Sequence, residues 1–290
     1  MADPTGDLTQ HGPGTRLRGV RAHANDRRHW LQRYPVCAAL AQHDIEHAGI
    51  VRAGPGYRIV RTRQLTAYFM ACVNGEGRVR VDGRWRRFTP GMGCLLPSHT
   101  RNEFHAVGTR PWEFCYVCYL HPPGHPEILT AEAPVMARID ADPLRWAIEG
   151  LRAEQLGAAS PALAHYWVEL IHGYVLRFAH PFRGQDRLQR LWQSVAAHPA
   201  ADWSLDRLAR QAHCSREHLR RLCLRELGRS PIQQVTYLRL QRAAELLAST
   251  SMKVEEVGQT VGYENAFAFS TAFKKGVGWP PSDYRIRGLA

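Results

Sequence analysis

The sequence predicts an α+β multidomain protein. Its front half is a small antiparallel β-barrel followed by helices, and its last third is an all-α domain with two helix-turn-helix units. Three observations predict this. The chain has 290 residues, about twice the usual size of one domain, so two cores are expected. Short apolar runs separated by turn residues fill residues 57–120, the pattern of a barrel or sandwich. The last third repeats itself at a spacing of fifty residues, which suits a duplicated supersecondary unit.

Residues 1–34 form a polar arm carrying Arg16, Arg18, Arg21, Arg27 and Arg28, expected to be loose to about Trp30. From Tyr57 to Leu120, Ile59-Val60, Ala67 to Val73, Cys94 to Leu96 and Phe114 to Leu120 alternate with turn signals at Asn74 to Gly77, Asp82-Gly83 and Pro90-Gly91. Asp-Gly between Val79-Arg80-Val81 and Arg84-Trp85 is a strong hairpin signal. Strand alternation puts Tyr68, Met70 and Cys72 on one face, and Trp112, Phe114, Tyr116 and Cys118 on another.

Asp142-Pro143 and Ser160-Pro161 each read as an N-cap followed by Pro at the first helical position. After the second, Leu163, Tyr166, Trp167, Leu170, Ile171, Tyr174 and Phe178 recur at helical spacing. That stripe suits packing on the barrel, a dimer interface, or both. Pro181 to Gln185 is the expected domain boundary, giving a sensing half over 1–180 (helices 143–180) and a second domain over 187–287.

In the repeat, Ser215 is matched by Asn265, Leu219 by Phe269, Arg225 by Lys275, Gly228 by Gly278 and Pro231 by Pro281. Each copy reads as a short helix (205–212; 254–261), a tight turn, and a capped second helix that stops at Gly before x-x-Pro. Leu219, Leu222 and Cys223 face inward on the first second helix, leaving Glu217, Arg220, Arg221 and Arg225 outward with Arg216 near its start. Arg there can pair bidentately with guanine, and Glu can accept from cytosine. A solvated basic face is the plainer reading of one copy. A duplicated face on a chain of net charge +12 favours a polyanionic partner, although 35 of the 38 Lys and Arg are Arg, a bias that coding composition can also produce. In the second copy Phe267, Ser270, Thr271 and Lys274 point outward, suited to a thymine methyl and to phosphates.

Ser215-Arg-Glu-His-Leu-Arg-Arg-Leu, Gly228-Arg-Ser-Pro, the helix from Leu238, Val261-Gly-Tyr-Glu-Asn, Phe269-Ser-Thr-Ala-Phe-Lys-Lys and Gly278-Trp-Pro-Pro-Ser-Asp-Tyr-Arg together resemble the signature of AraC/XylS-type transcription regulators over 187–287. The resemblance implies two helix-turn-helix units joined by a 231–249 helix, reading successive major-groove segments of double-stranded DNA. By position it makes Arg216, Glu217, Arg220 and Arg221, with Ser215 at the helix start, and Asn265, Ala266, Phe267, Ser270, Thr271 and Lys274 the DNA-facing residues. Ala266 and Phe267 depart from the polar readers the family often carries there.

Gly75-Glu-Gly-Arg-Val-Arg-Val-Asp-Gly, Pro90-Gly-Met-Gly-Cys-Leu-Leu-Pro and Arg110-Pro-Trp-Glu-Phe-Cys-Tyr-Val resemble the cupin-like sensing domain of arabinose-type members. This implies a pocket for a small polar effector such as a sugar, dimerisation through the following helices, and RNA polymerase as a further partner. Arg61, Arg63, Tyr68, Arg101, Glu103, His105, Trp112 and Tyr116 are the candidate ligand residues, although the same side chains can simply close a barrel.

Two other classes compete: a cupin-type metalloenzyme with an accessory basic domain, and a ligand-independent DNA-binding scaffold. The strand from Tyr68 to Val73 holds no His, and His99 and His105 lack a His-x-His partner, which argues against the metal set such enzymes use. Cys115 and Cys118 point to opposite faces of a strand, so they make neither a zinc pair nor a disulfide; a sensing pair of Cys72 and Cys118 is a weaker alternative to buried structural thiols. No Walker loop, GxSxG elbow or dinucleotide turn is present, so neither a metal nor another cofactor is expected. No apolar run approaches the roughly 20 residues that span a bilayer, and no signal peptide is visible. The expectation is a soluble cytoplasmic regulator with no membrane partner.

Overall fold

The turn residues that punctuate the front half cut it into strands that pair into two sheets. The computed structural model describes residues 8–26, 28–62, 66–81, 83–98, 100–120, 136–181 and 186–288. One sheet runs β1 (Leu8–Gln10), β4 (Arg58–Arg61), β9 (Asn102–Ala106), β6 (Gly77–Val81), β7 (Arg84–Phe88). The other runs β11 (Met136–Arg138), β8 (Met92–Leu96), β5 (Thr66–Asn74), β10 (Trp112–Leu120), β3 (Ile45–Ala53), β2 (Arg16–Arg21). Every ladder between these strands is antiparallel. The hairpin expected at Asp82-Gly83 closes with Val81 opposite Arg84, although Asp82 itself lies outside the described residues.

The second sheet is buried on both faces. Trp112, Phe114, Tyr116 and Cys118 of β10 point between the sheets, as do Tyr68, Met70 and Cys72 of β5. Cys115, Val117 and Tyr119 point the other way, against α1 (Asp142–Leu156) and α2 (Pro161–Ala179). Cys115 and Cys118 therefore face opposite sides, and all seven cysteines are free.

Two expectations are corrected. The arm is not loose to Trp30: β1 pairs with β4, and β2 pairs with β3 from Arg16↔Arg52 to Arg21↔His47. The edge strands of both sheets had open backbone donors and acceptors, and the arm satisfies them while burying Val20. Asp142 is inside α1 rather than its cap; Ala141 holds the cap position, and Asp140 Oδ1 just before it accepts from the Asp142 N–H at 3.1 Å. Ser160 does cap α2 by position, without a side-chain bond.

The last third is α3 (Asp186–Ala197), α4 (Leu205–Gln211), α5 (Arg216–Glu226), α6 (Pro231–Ser249), α7 (Val254–Thr260), α8 (Ala266–Val277) and α9 (Pro281–Gly288). Helix α6 starts in a capping box: Ser230 Oγ accepts from Gln233 N–H at 3.3 Å, and Gln233 Oε1 accepts from Ser230 N–H at 2.8 Å. Its first half packs Val235 and Leu238 with α3, α4 and α5; its second half packs Leu240, Ala243 and Leu247 with α7, α8 and α9. One long helix thus carries two small cores.

Candidate nucleic-acid interface and ligand cavity

Helices α5 and α8 each begin with a polar cap and leave one side uncovered. Ser215 Oγ accepts from the His218 N–H at 3.2 Å, and Asn265 Oδ1 accepts from Phe267 and Ala268 N–H at 2.7 and 3.2 Å. Both side chains are therefore occupied in holding a helix start. On α5 the inward residues are Leu219, Leu222 and Cys223, while Glu217, Arg220 and Arg221 are exposed. Arg216 is exposed and paired with Asp206. Arg220 lies 3.9 Å from Glu217, a loose pair that a nucleic acid can displace. On α8, Phe269 and Phe273 are buried; Ala266, Thr271 and Lys274 are exposed and Ser270 half-buried. Phe267 is 82% exposed, so it is not packed into a core among the described residues.

Between the two sheets lies a cavity of about 140 Å³. Of the residues singled out from sequence, Arg61, Tyr68 and Tyr116 line it. Arg63 lies outside the described residues. Arg101, Glu103 and His105 are not in the lining, because alternation along β9 turns Asn102 and Phe104 inward instead. Glu103 is 2% exposed and held by Arg58 at 2.6 Å, Arg80 at 3.2 Å and Arg101 at 3.4 Å. Burial works against its charge, yet these arginines keep the carboxyl below the usual range. His105 packs on Trp85. Trp112 faces inward at the filled end, where its Nε1–H donates to Cys72 Sγ at 3.3 Å.

The arm supplies Thr9, His11, Leu17, Arg28 and Trp30 to the cavity. Tyr68 is stacked between Phe104 and Tyr116, with centroids at 5.7 and 5.3 Å. Tyr116 Oη is 3.1 Å from Tyr34 Oη. His47 is fully enclosed, and burial, reinforced by Arg28, pulls its pKa down to about 3, so it is neutral near pH 7. Burial pushes the Cys118 thiol up to about 12 and Cys72 up to about 11, which makes both poor nucleophiles.

A model of the AraC-like ligand-binding domain matches residues 45–131, and a helix-turn-helix domain model matches 208–287. The MmsAB operon regulatory protein of Pseudomonas aeruginosa is 31% identical over 292 residues, covering 88% of this chain and 90% of that one. The chain belongs to the AraC family of transcription regulators. The lactose operon transcription activator of Staphylococcus xylosus is 33% identical over 272 residues, covering 88% of this chain and 94% of its own length.

This AraC-family chain pairs a ligand-binding domain with a DNA-binding domain, and its relatives are transcription regulators rather than enzymes. No helix among the described residues is long and apolar enough to cross a membrane. Among those residues one group, Glu46, His47 and Cys118, brings ligand-type atoms within 4.8 Å. No His-x-His spacing marks it, because a β-bulge makes it: Cys118 opposes His47 while Tyr119 opposes Ile45, leaving Glu46 without a partner on β10 and placed beside His47. The Arg28 guanidinium, 2.7 Å from Glu46 Oε1, opposes a cation there. The arm residues carried no local signal; they reach the cavity only through strand pairing.

The two domains also touch. Arg101 N–H donates to Val277 O at 3.1 Å, and Trp279 Nε1–H donates to Thr62 O at 3.0 Å. Gly278, at φ +96, ends α8 where an added Cβ would stand 2.7 Å from Arg101 Cβ. Both demands, left-handed backbone and close approach, select glycine.

Proposed function

We propose that the protein is a homodimeric, effector-responsive regulator that reads two successive major-groove segments of duplex DNA with the helix-turn-helix units α4–α5 and α7–α8. The observation that carries this is the pair of capped helices, α5 and α8, whose outer faces no described residue covers: Glu217, Arg220 and Arg221 on one, Phe267, Thr271 and Lys274 on the other. Arg220 and Arg221 suit guanine edges, Glu217 suits cytosine, and Phe267 suits a thymine methyl. Arg216, Ser270, Thr271 and Lys274 suit phosphates. Ser215 and Asn265 act by fixing the helix starts.

Leu163, Tyr166 and Leu170 of α2 remain 49%, 66% and 46% exposed on one side of that helix. An apolar strip of this kind supports dimerisation through α2. A dimer places several reading helices on one DNA. Where the protein activates, as the name of the lactose operon relative states for that protein, RNA polymerase is the further partner.

The coupling runs through two strands. Arg61 and Asn102 face the cavity, and their chain neighbours Thr62 and Arg101 hold the end of α8. An effector that favours one setting of β4 and β9 thereby biases how the second unit is held, a population shift between DNA-binding arrangements. The lactose operon relative keeps sugars among the effector classes a binding assay has to include.

Selection of bound duplexes from a random pool tests this reading. It expects enrichment of a site with two segments about one helical turn apart. Salt-sensitive binding with no enriched sequence would leave only phosphate attraction and defeat the proposal.

A further inference from the structure

The barrel cavity is walled by cations and aromatic rings, and no carboxylate lines it among the described residues. We propose that its occupant is a small monocarboxylate with an apolar body, an aromatic or branched-chain acid rather than a sugar. The proposal rests on reading the barrel as the effector domain and narrows that reading to one ligand chemistry.

Charge accounting comes first. Of the two arginines in the lining, Arg28 is balanced by Asp26 at 2.5 Å and Glu46 at 2.7 Å. Arg61 meets no carboxylate among the described residues; its Nη1 donates to the carbonyls of Leu8 and Val60 at 3.0 and 3.1 Å. Its charge is felt inside the cavity, where it disfavours protonation of His11 and favours ionisation of Tyr57 and Tyr68 against the larger effect of burial. A partly buried cation without a counter-charge is an unfavourable arrangement that an entering anion relieves. A guanidinium matches a carboxylate in charge and in planar, forked geometry.

Size and wall chemistry come second. A cavity of about 140 Å³ is close to the ~150 Å³ void that takes up benzene in an engineered core. It admits roughly six to nine non-hydrogen atoms, enough for one ring or a branched chain with its carboxylate. Trp30, Tyr57, Tyr68, Phe104 and Tyr116 supply the apolar walls. A sugar needs several acceptors for its hydroxyl protons; no carboxylate lines the cavity among the described residues, and two of its polar side chains are already engaged. Asn102 is hydrogen-bonded to Pro97 O and Thr100, and Tyr116 to Tyr34.

The approach agrees. A groove of about 730 Å³ shares His11, Leu17 and Trp30 with the cavity and is lined by Arg16, Arg33 and Arg52. Its one carboxylate, Glu113, is already paired with Arg18 at 3.4 Å. Such a mouth concentrates anions by its field.

Titration calorimetry on the full-length protein tests the proposal. The probes are benzoate and isovalerate; their neutral amides; and L-arabinose and lactose. At least one carboxylate is expected to bind saturably, with its amide about tenfold or more weaker, the discrimination a charge-assisted hydrogen bond provides. Arg61→Gln, verified as folded by circular dichroism, is expected to weaken that carboxylate by about 10- to 100-fold, with part of the loss recovered by Arg61→Lys. The proposal is overturned if amide and acid bind equally, if Arg61→Gln changes nothing, if only a sugar binds, or if no carboxylate binds up to millimolar concentration. The comparison of acid with amide uses the native protein, so it stands even where a variant does not fold. A sugar that binds and alters operator affinity removes the carboxylate proposal and leaves the regulator reading standing. Failure of the duplex selection removes the regulator reading while carboxylate binding remains measurable.

Discussion

Set side by side, the helix pairs α4–α5 and α7–α8 follow one backbone plan with different side chains at nearly every working position. In the first, His213 takes the left-handed turn at φ 50; in the second, Gly262 does so at φ 87. Ser215 caps α5 through one accepted N–H, whereas Asn265 caps α8 through two. Leu219 and Cys223 fill the first core; Phe269 and Phe273, with ring centroids 5.6 Å apart, fill the second. The outer faces differ most, charged on α5 and mostly apolar or hydroxylic on α8. A tight turn, a cap and an inward layer suffice to make the unit, so the outer face was free to diverge. On the proposed DNA reading, the first unit takes the hydrogen-bonded base contacts and the second takes shape, methyl and phosphate contacts.

The largest expected effect lies in the cores. Phe273→Ala should cost about 3–5 kcal/mol in urea unfolding, whereas Cys223→Ala at the matching position should cost about 1 kcal/mol. Equal losses would mean that the two cores do not depend on their side chains as their sizes imply.

Next come the outer faces. Arg220→Ala should weaken binding to the selected site by about 1–3 kcal/mol and relax its sequence preference. Phe267→Ala, on the opposite unit, should lose less than half of that and mainly at one A·T pair. A larger loss for Phe267→Ala, measured by fluorescence anisotropy at fixed salt, would invert the assignment.

The caps should differ more modestly. Asn265→Ala and Ser215→Ala should each cost about 1 kcal/mol, with Asn265 the larger because two donors are orphaned. Differential denaturation of the two variants resolves the order. The smallest effect belongs to the turns: His213→Gly should stabilise by about 0.5 kcal/mol, since it relieves a side chain held at positive φ. A destabilised His213→Gly protein would show that the imidazole makes contacts worth more than that relief.

Legibility in the sequence followed the range of the interactions. The helix pairs, their caps and the 231–249 helix depend on residues a few positions apart, and they appear where spacing and cap chemistry put them. The apolar stripe on α2 was also legible, but it splits in the structure: Ile171 and Phe178 are buried against the barrel, while Tyr166 and Leu170 stay exposed. The cavity was legible only in part. Alternation correctly grouped Tyr68 with Met70 and Tyr116 with Trp112, yet on β9 it is Asn102 and Phe104 that face inward, and Arg101, Glu103 and His105 turn out. A shift of one residue exchanges every side chain between the faces of a strand.

By itself the sequence determined the order of the two domains, the duplicated unit, and its inward and outward faces. These follow from period, cap and turn chemistry, each set by neighbours in the chain. Only the tertiary structure decided that the arm pairs onto the edges of both sheets, that a bulge aims Glu46 beside His47, that Arg61 meets no carboxylate among the described residues, and that Arg101 and Trp279 tie the barrel to α8. Each of these joins residues far apart in the chain, and nothing in local propensity records which strands will pair or which charges that pairing leaves facing each other.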